Sequence, residues 1–368
     1  MSNEEIEKTA GNKKVWWSII LAIVALIIIE GALQARAYMK GNSNLRNMVL
    51  DQSTFEYNER FGLELLRASN VAVDDGQTIR SNSFGLRSPE IEVDKEDGEI
   101  RVAILGASTV MGHTNPINEE TMSYRLETHL QERYPDHKIT VINGGILGYG
   151  VEKQQFLFDR VLSLFDLDLV VLYPGYNDVS LYCEGDGDPE DHGLMKLALP
   201  TWILSTELVS KNTEFLRDIK AKSDKFIDPA GLNNDPFRER LGGVFNSVRN
   251  AGVPLLAVTN TRGFRRDMDY DRQMEMAEFS LDKSRCFTME HLQDVFDEHN
   301  EIIIEKSTEF NTPVFRMEKY MPAEEGHFAD SIHFTLKGNE LFAELVANEI
   351  VSKSLLNVQQ VADGESAP

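Results

Sequence analysis

Four short segments of this chain carry residue types that together could do acyl-transfer chemistry. Ser108 follows the apolar run Arg101-VAILG, and Gly106 allows a tight turn into a helix. A serine at such a turn is a candidate nucleophile, because the turn can aim backbone N–H groups and a helix N-terminus at an oxyanion. The plain alternative is a helix-capping serine. Asp330-Ser331-Ile332-His333 precedes the last helical stretch. Serine chemistry needs a base to take the hydroxyl proton and a carboxylate to fix that base's tautomer, and a loop Asp three residues before a His offers both. Gly175-Tyr176-Asn177-Asp178 and the glycine-rich stretch Asn143 to Gly150 each follow an apolar run. The Asn177 amide and a glycine N–H could donate to developing negative charge, although both segments also have turn-forming composition.

The elements that must position these residues read as an alternation. Apolar runs at Arg101-VAILG, Lys138-ITVIN, Asp168-LVVLYPG, Pro254-LLAVTN and Pro313-VFRM predict five strands. Helical periodicity predicts helices over Thr121 to Arg133, Val151 to Leu164, Phe237 to Ala251 and His291 to Phe310, and after Thr335, which caps an amphipathic helix. Strands alternating with helices imply a parallel sheet covered on both faces, and near-continuous apolar strands such as VAIL and LVVLY suit burial on both sides. All four chemical segments follow strands, where open α/β sheets place their sites.

In order along the chain, Gly106-Ala107-Ser108, the glycine-rich loop to Gly148, Gly175-x-Asn177-Asp178 and Asp330-x-x-His333 resemble the four blocks of the SGNH (GDSL-like) hydrolases. The resemblance covers about residues 100–350, and Ala107 departs from it where the GDS motif has Asp. It implies a flavodoxin-like three-layer α/β sandwich with a parallel five-stranded sheet. It further implies a serine esterase with Ser108 as nucleophile, His333 as base and Asp330 as its partner. The oxyanion hole would be Ser108 N–H, Gly148 N–H and the Asn177 side chain, with Gly145 as the fallback to Gly148. This chemistry requires no cofactor and no metal. The expected partner is an acyl-ester substrate, on cell-envelope carbohydrate or lipid. An O-acyltransferase would use the same residues, and a non-catalytic membrane-tethered binding protein on a hydrolase fold is the reading from another class.

A net charge of −23, from 60 acidic and 37 basic residues, disfavours nucleic acid as a partner. Oligomeric state is not readable. Val15 to Ile29 is uncharged and apolar, and extending it to Ala35 reaches the roughly 20 residues of a bilayer span. A cleaved signal peptide is the rival, but Glu30 and Arg36 make a poor cleavage region. The expected organisation is a cytoplasmic tail (1–14), a transmembrane anchor (15–35), an entry segment (36–99) containing the turn-rich NSFGLRSP, a hydrolase-like domain (100–354) and a flexible tail (355–368). Insertions fall at about 179–235 and 263–290. Resemblance to anchored family members places the catalytic domain outside the cytoplasm on a single-pass membrane protein. Cys183 and Cys286, the only cysteines, fall in the two insertions and either pair or remain buried thiols. His113 reads as an exposed loop residue, His327 as a rival base without an Asp three residues before it, and Met268 to Met276 as a solvated lid helix. The acidic loop Asp186 to His192 lacks the central glycine and the terminal glutamate of a calcium-binding EF-hand loop.

Overall fold

The computed structural model describes residues 16–22, 24–32, 54–74, 76–184, 227–324 and 326–356. The chain divides into two compact units, Met1–Ser53 with Gly187–Asp224, and Thr54–Asp186 with Lys225–Pro368. In the first unit, residues 16–22 and 24–32 are helical and mostly exposed. Among the described residues no helix is long and apolar enough to cross a membrane, so the expected transmembrane helix is not found there. Residues 15, 23 and 33–35 of that span lie outside the described residues, as do the tail 1–14, residues 357–368 and residues 185–226 of the first insertion, with the acidic loop 186–192.

The second unit is built on one sheet. Strands β5 (Glu99–Gly106), β6 (Lys138–Gly145), β7 (Leu169–Leu172), β8 (Leu255–Val258) and β9 (Val314–Phe315) lie in the order β6-β5-β7-β8-β9. All four pairings are parallel. Counted within the sheet this is 2-1-3-4-5, the doubly wound flavodoxin-like order. The middle strands read as unbroken apolar runs because both faces are covered. Val102, Ile104, Leu169 and Val171 enter one core cluster, and Ala103, Leu105, Val170 and Leu172 enter the other.

The helices are α1 (Ser108–Met111), α2 (Met122–Arg133), α3 (Val151–Arg160), α4 (Tyr176–Glu184), α5 (Asp235–Asn250), α6 (Tyr270–Lys283), α7 (Met289–Glu309) and α8 (Leu336–Ser352). As expected from its sequence, Thr335 caps α8, its hydroxyl accepting from Gly338 N. The predicted solvated lid helix differs: α6 buries Gln273, Met276, Ala277 and Ser280 on one face. The entry segment, which shows little periodicity, folds from residue 55 into two antiparallel hairpins. These pair β1 (Phe55–Asn58) with β2 (Leu63–Leu66) and β3 (Val71–Asp74) with β4 (Gln77–Arg80). Four-residue strands are too short to show a period, and tertiary packing decides them.

The outer edge of β6 is closed by side chains. Ile139 N donates to Gln131 Oε1 (3.1 Å), Val141 N to Glu127 Oε2 (2.8 Å) and Asn143 N to Ser88 Oγ (2.8 Å). Three alternate N–H groups that would otherwise template another strand are thereby satisfied.

At the start of β5, Glu99 and Arg101 form an ion pair of 2.8 Å with each side chain 2% exposed. Arg101 also donates to the carbonyls of Val93, Asp94 and Phe165. Burial pushes the Glu99 carboxyl up, but hydrogen bonds from Thr140 and Arg101 outweigh it and hold the group at about 2. A depressed carboxylate stabilises the fold above its unfolded value, and this contribution is lost as pH falls toward 2. Glu99→Gln leaves the guanidinium buried without its carboxylate and is expected to cost about 3–5 kcal/mol. The check is a urea titration at neutral pH, where the midpoint should fall with an unchanged slope. The difference from wild type should shrink below pH 4. A wild-type midpoint at pH 7 would contradict the assignment.

Candidate active site

The three strands at one side of the sheet deliver three of the four segments. β6, β5 and β7 are adjacent, and the loops leaving their C-terminal ends carry Gly148, Ser108 and Asn177. Ser108 opens α1 two residues after β5 ends and is 5% exposed. The fourth segment reaches it from before α8: His333 Nε2 lies 2.8 Å from Ser108 Oγ. His333 Nδ1 lies 2.7 Å from Asp330 Oδ2, while Asp330 Oδ1 accepts from the backbone N–H groups of Ile332 and His333, both at 2.9 Å. An ionised carboxylate only accepts, so Nδ1 carries the imidazole proton and Nε2 is free to accept from the serine hydroxyl. Burial alone would raise the Asp330 carboxyl. The side-chain and backbone hydrogen bonds from His333, with that of Ile332, hold it below the usual carboxylate range.

Two aromatic rings pack against the imidazole. The His113 ring packs edge-on at 5.2 Å between centroids and the Phe279 ring at 5.3 Å. His113 is half-buried and borders the site rather than standing on an exposed loop. Its only signal in the sequence is its position five residues after Ser108. Phe279 carried no signal, because α6 belongs to an insertion and its register against His333 is a tertiary fact. That register is fixed by Ser280. Its N–H donates to Ser331 Oγ (2.9 Å), inside the Asp330–His333 segment, and its hydroxyl meets Tyr176 OH (2.8 Å). His327, the rival base, is buried beside Glu324, and its carbonyl accepts from Thr335 N (3.0 Å).

The two glycines considered as oxyanion donors separate on geometry. Gly145 N already donates to Asn143 Oδ1 at 3.0 Å. A Cβ at Gly145 would lie 2.1 Å from Met111 N, so this glycine lets β6 pack directly under α1. Gly148 has φ +76° with open space where a Cβ would stand, and it is exposed. Asn177, second residue of α4, donates one amide hydrogen to Tyr149 O (3.0 Å), beside Gly148. Its neighbour Asp178 is buried and accepts from Val151 N (3.0 Å) at the start of α3. Burial pushes that carboxyl up to about 6, partly offset by the Val151 bond and by Arg240.

Cys183, in α4, and Cys286, three residues beyond α6, are joined by a disulfide with Cα atoms 5.3 Å apart. The bond and the Tyr176–Ser280 hydrogen bond tie α4 to the α6 segment at two places. Alkylation of the unfolded, unreduced chain is expected to add no mass, and alkylation after reduction to add two groups. Two groups without reductant would mean free thiols.

The site therefore presents a buried serine hydroxyl, an imidazole whose Nε2 faces it and a carboxylate behind that ring, at the C-terminal edge of a doubly wound sheet. Solved structures of similar fold include a lipase/acylhydrolase from Enterococcus faecalis, at 18% identity and TM-score 0.42, covering 71% of this chain and 100% of that one. An acetylxylan esterase from Geobacillus stearothermophilus matches at 13% identity and TM-score 0.43, covering 73% of this chain and 99% of that one. No protein-family model and no curated protein matches the chain in sequence.

Proposed function

We propose that this chain is a serine esterase of the SGNH type, hydrolysing an acyl ester. The observation that carries the reading is the continuous hydrogen-bonded series Asp330–His333–Ser108, with contacts of 2.7 and 2.8 Å. Ser108 Oγ attacks the ester carbonyl carbon while its proton passes to His333 Nε2. The tetrahedral oxyanion is met by Ser108 N–H, Gly148 N–H and the second amide hydrogen of Asn177. Collapse expels the alcohol, which takes the proton from His333. Water, deprotonated by the same imidazole, then releases the acyl group. Asp330 stabilises the imidazolium formed in each step.

The test is the full chain against a panel of acyl esters, together with a fluorophosphonate probe read by mass on the peptide containing Ser108. Absence of both turnover and labelling would remove the esterase reading and leave a binding protein on this fold. Ser108 is almost wholly buried, which favours checking acceptors other than water. Adding a carbohydrate to the assay and measuring acylated sugar against free acid separates acyl transfer from hydrolysis.

Asn177→Ala is expected to lower kcat by about 10²–10³-fold with little change in KM, because the amide meets charge present only in the transition state. A change confined to KM would make Asn177 a substrate-binding residue instead.

The proposed location is outside the cytoplasm, tethered through the apolar segment 15–35. Trp16, Trp17, Leu21, Ile27 and Ile28, each at least 65% exposed, support an apolar environment for this stretch. Protease added to intact spheroplasts should digest the hydrolase domain, and full protection would reverse the topology.

A further inference from the structure

We infer that Arg87, in the entry segment, is a positioning residue for Ser108, an inference that rests on the serine-esterase reading above. Helix α1 is a single turn, and one turn is not stable by itself. All of its carbonyls lie in its last turn and find their partners beyond the four helical residues. Their partners can be named one by one. Ser108 O accepts from Gly112 N and His113 N, both at 3.0 Å, and Thr109 O from Gly112 N at 3.2 Å. Val110 O accepts from Asn143 Nδ2 at 2.9 Å. Met111 O and the following Gly112 O accept from Arg87 Nη1 at 3.4 and 2.7 Å. Arg87 Nη2 continues to Asn115 O (2.9 Å) and its Nε to Asn118 Oδ1 (3.1 Å).

Arg87 is 1% exposed, and these hydrogen bonds end on neutral oxygens. A guanidinium is buried at a cost that only several good acceptors offset. Its rigid fork of five donors suits diverging carbonyls in a way that the point charge of a lysine does not. The same loop reaches the base. Thr114 Oγ1 donates to Phe334 O (2.9 Å) and Asn115 Nδ2 donates to it at 3.4 Å, one residue after His333. His113, immediately before Thr114, packs on the His333 ring. Arg87 thus holds the turn that carries the nucleophile and the strap that joins it to the base. A residue from outside the four motif segments sets the Ser108–His333 distance.

The experiment compares wild type with Arg87→Met and Arg87→Lys in the full chain. It measures ester kinetics, fluorophosphonate labelling rate and end point, and hydrogen exchange of peptides covering 107–115. Displacement of a reacting group by about 1 Å costs about 10²-fold, so R87M should lose about that factor in kcat with KM within about twofold. Labelling should still end near one probe per chain, with its rate constant falling alongside kcat. R87K, which keeps the charge and fewer bonds, should recover about tenfold, and it carries the test should R87M not fold. Amides in 107–115 should exchange faster while the rest of the sheet is unchanged.

Wild-type exchange and labelling rate in both variants would overturn the inference. So would a labelling end point that falls with kcat while the rate per labelled chain stays constant, since that would show only loss of folded protein. If wild type itself neither turns over ester nor labels, the esterase reading falls, and exchange over 107–115 alone decides whether Arg87 holds the turn.

Discussion

Ser108→Ala is expected to lower ester turnover by about three to six orders of magnitude, and His333→Ala by a similar factor, because nucleophile and base act as one unit. The two losses should therefore not add: the double variant should be close to either single one. Folding should survive both changes. Ser108 Oγ contacts His333 at the N-terminal end of α1, while α1 itself is held by bonds to Asn143 and Arg87 that the serine hydroxyl does not make. Steady-state rates on an activated ester, with unfolding midpoints measured in parallel, provide the check. A Ser108→Ala protein retaining a tenth of wild-type activity would end the nucleophile assignment.

Asp330→Asn should cost about 10⁴-fold in kcat, more than loss of a simple hydrogen bond. The carboxylate accepts from His333 Nδ1 at 2.7 Å and so selects the tautomer whose Nε2 can take the serine proton. An asparagine can offer its NH₂ to Nδ1 instead. The imidazole then carries its hydrogen on Nε2, facing the serine, and cannot act as base. The backbone should remain in place, since an amide oxygen can still accept from Ile332 N and His333 N. The expected signature is a large kcat loss with a near-native unfolding midpoint. Activity in this variant should rise at high pH if the serine can be ionised without the base. A loss of less than tenfold would reduce Asp330 to a turn-forming residue.

The prediction for Asp330 also has a stability side. Its carboxyl is held below the usual range in the folded state, so it stabilises the fold above the unfolded carboxylate value, and that contribution is lost as pH falls through the folded one. The asparagine variant should show a shallower decline of stability on acidification below pH 4. Measuring midpoints from pH 7 to pH 3 separates this from the Glu99 contribution, which both proteins retain.

The five parallel strands and five of the flanking helices were legible in the sequence for one reason. The middle of a strand buried on both faces is apolar at successive positions, and a helix covering it is apolar every third or fourth. Both patterns survive without knowledge of any partner. The four segments were legible as a set because each follows an element of that kind, so their order along the chain already placed them at one end of the sheet. The sequence alone could name Ser108, Asp330 and His333 as a group to test. Long-range geometry was not legible, because its cause is contact between distant residues. Gly145 and Gly148 are equivalent as letters; only the Asn143 bond and the backbone of α1 against Gly145 tell them apart. Cys183 and Cys286 could pair or not until α4 and α6 were placed side by side. Arg87 stood in a stretch that read as turns, and its neighbours 55–80 showed no period, because strands of four residues and a single buried guanidinium leave no periodic trace. Tertiary structure decided that this entry segment packs against the turn carrying Ser108, and that Phe279 from an insertion and His113 from a loop close on the imidazole.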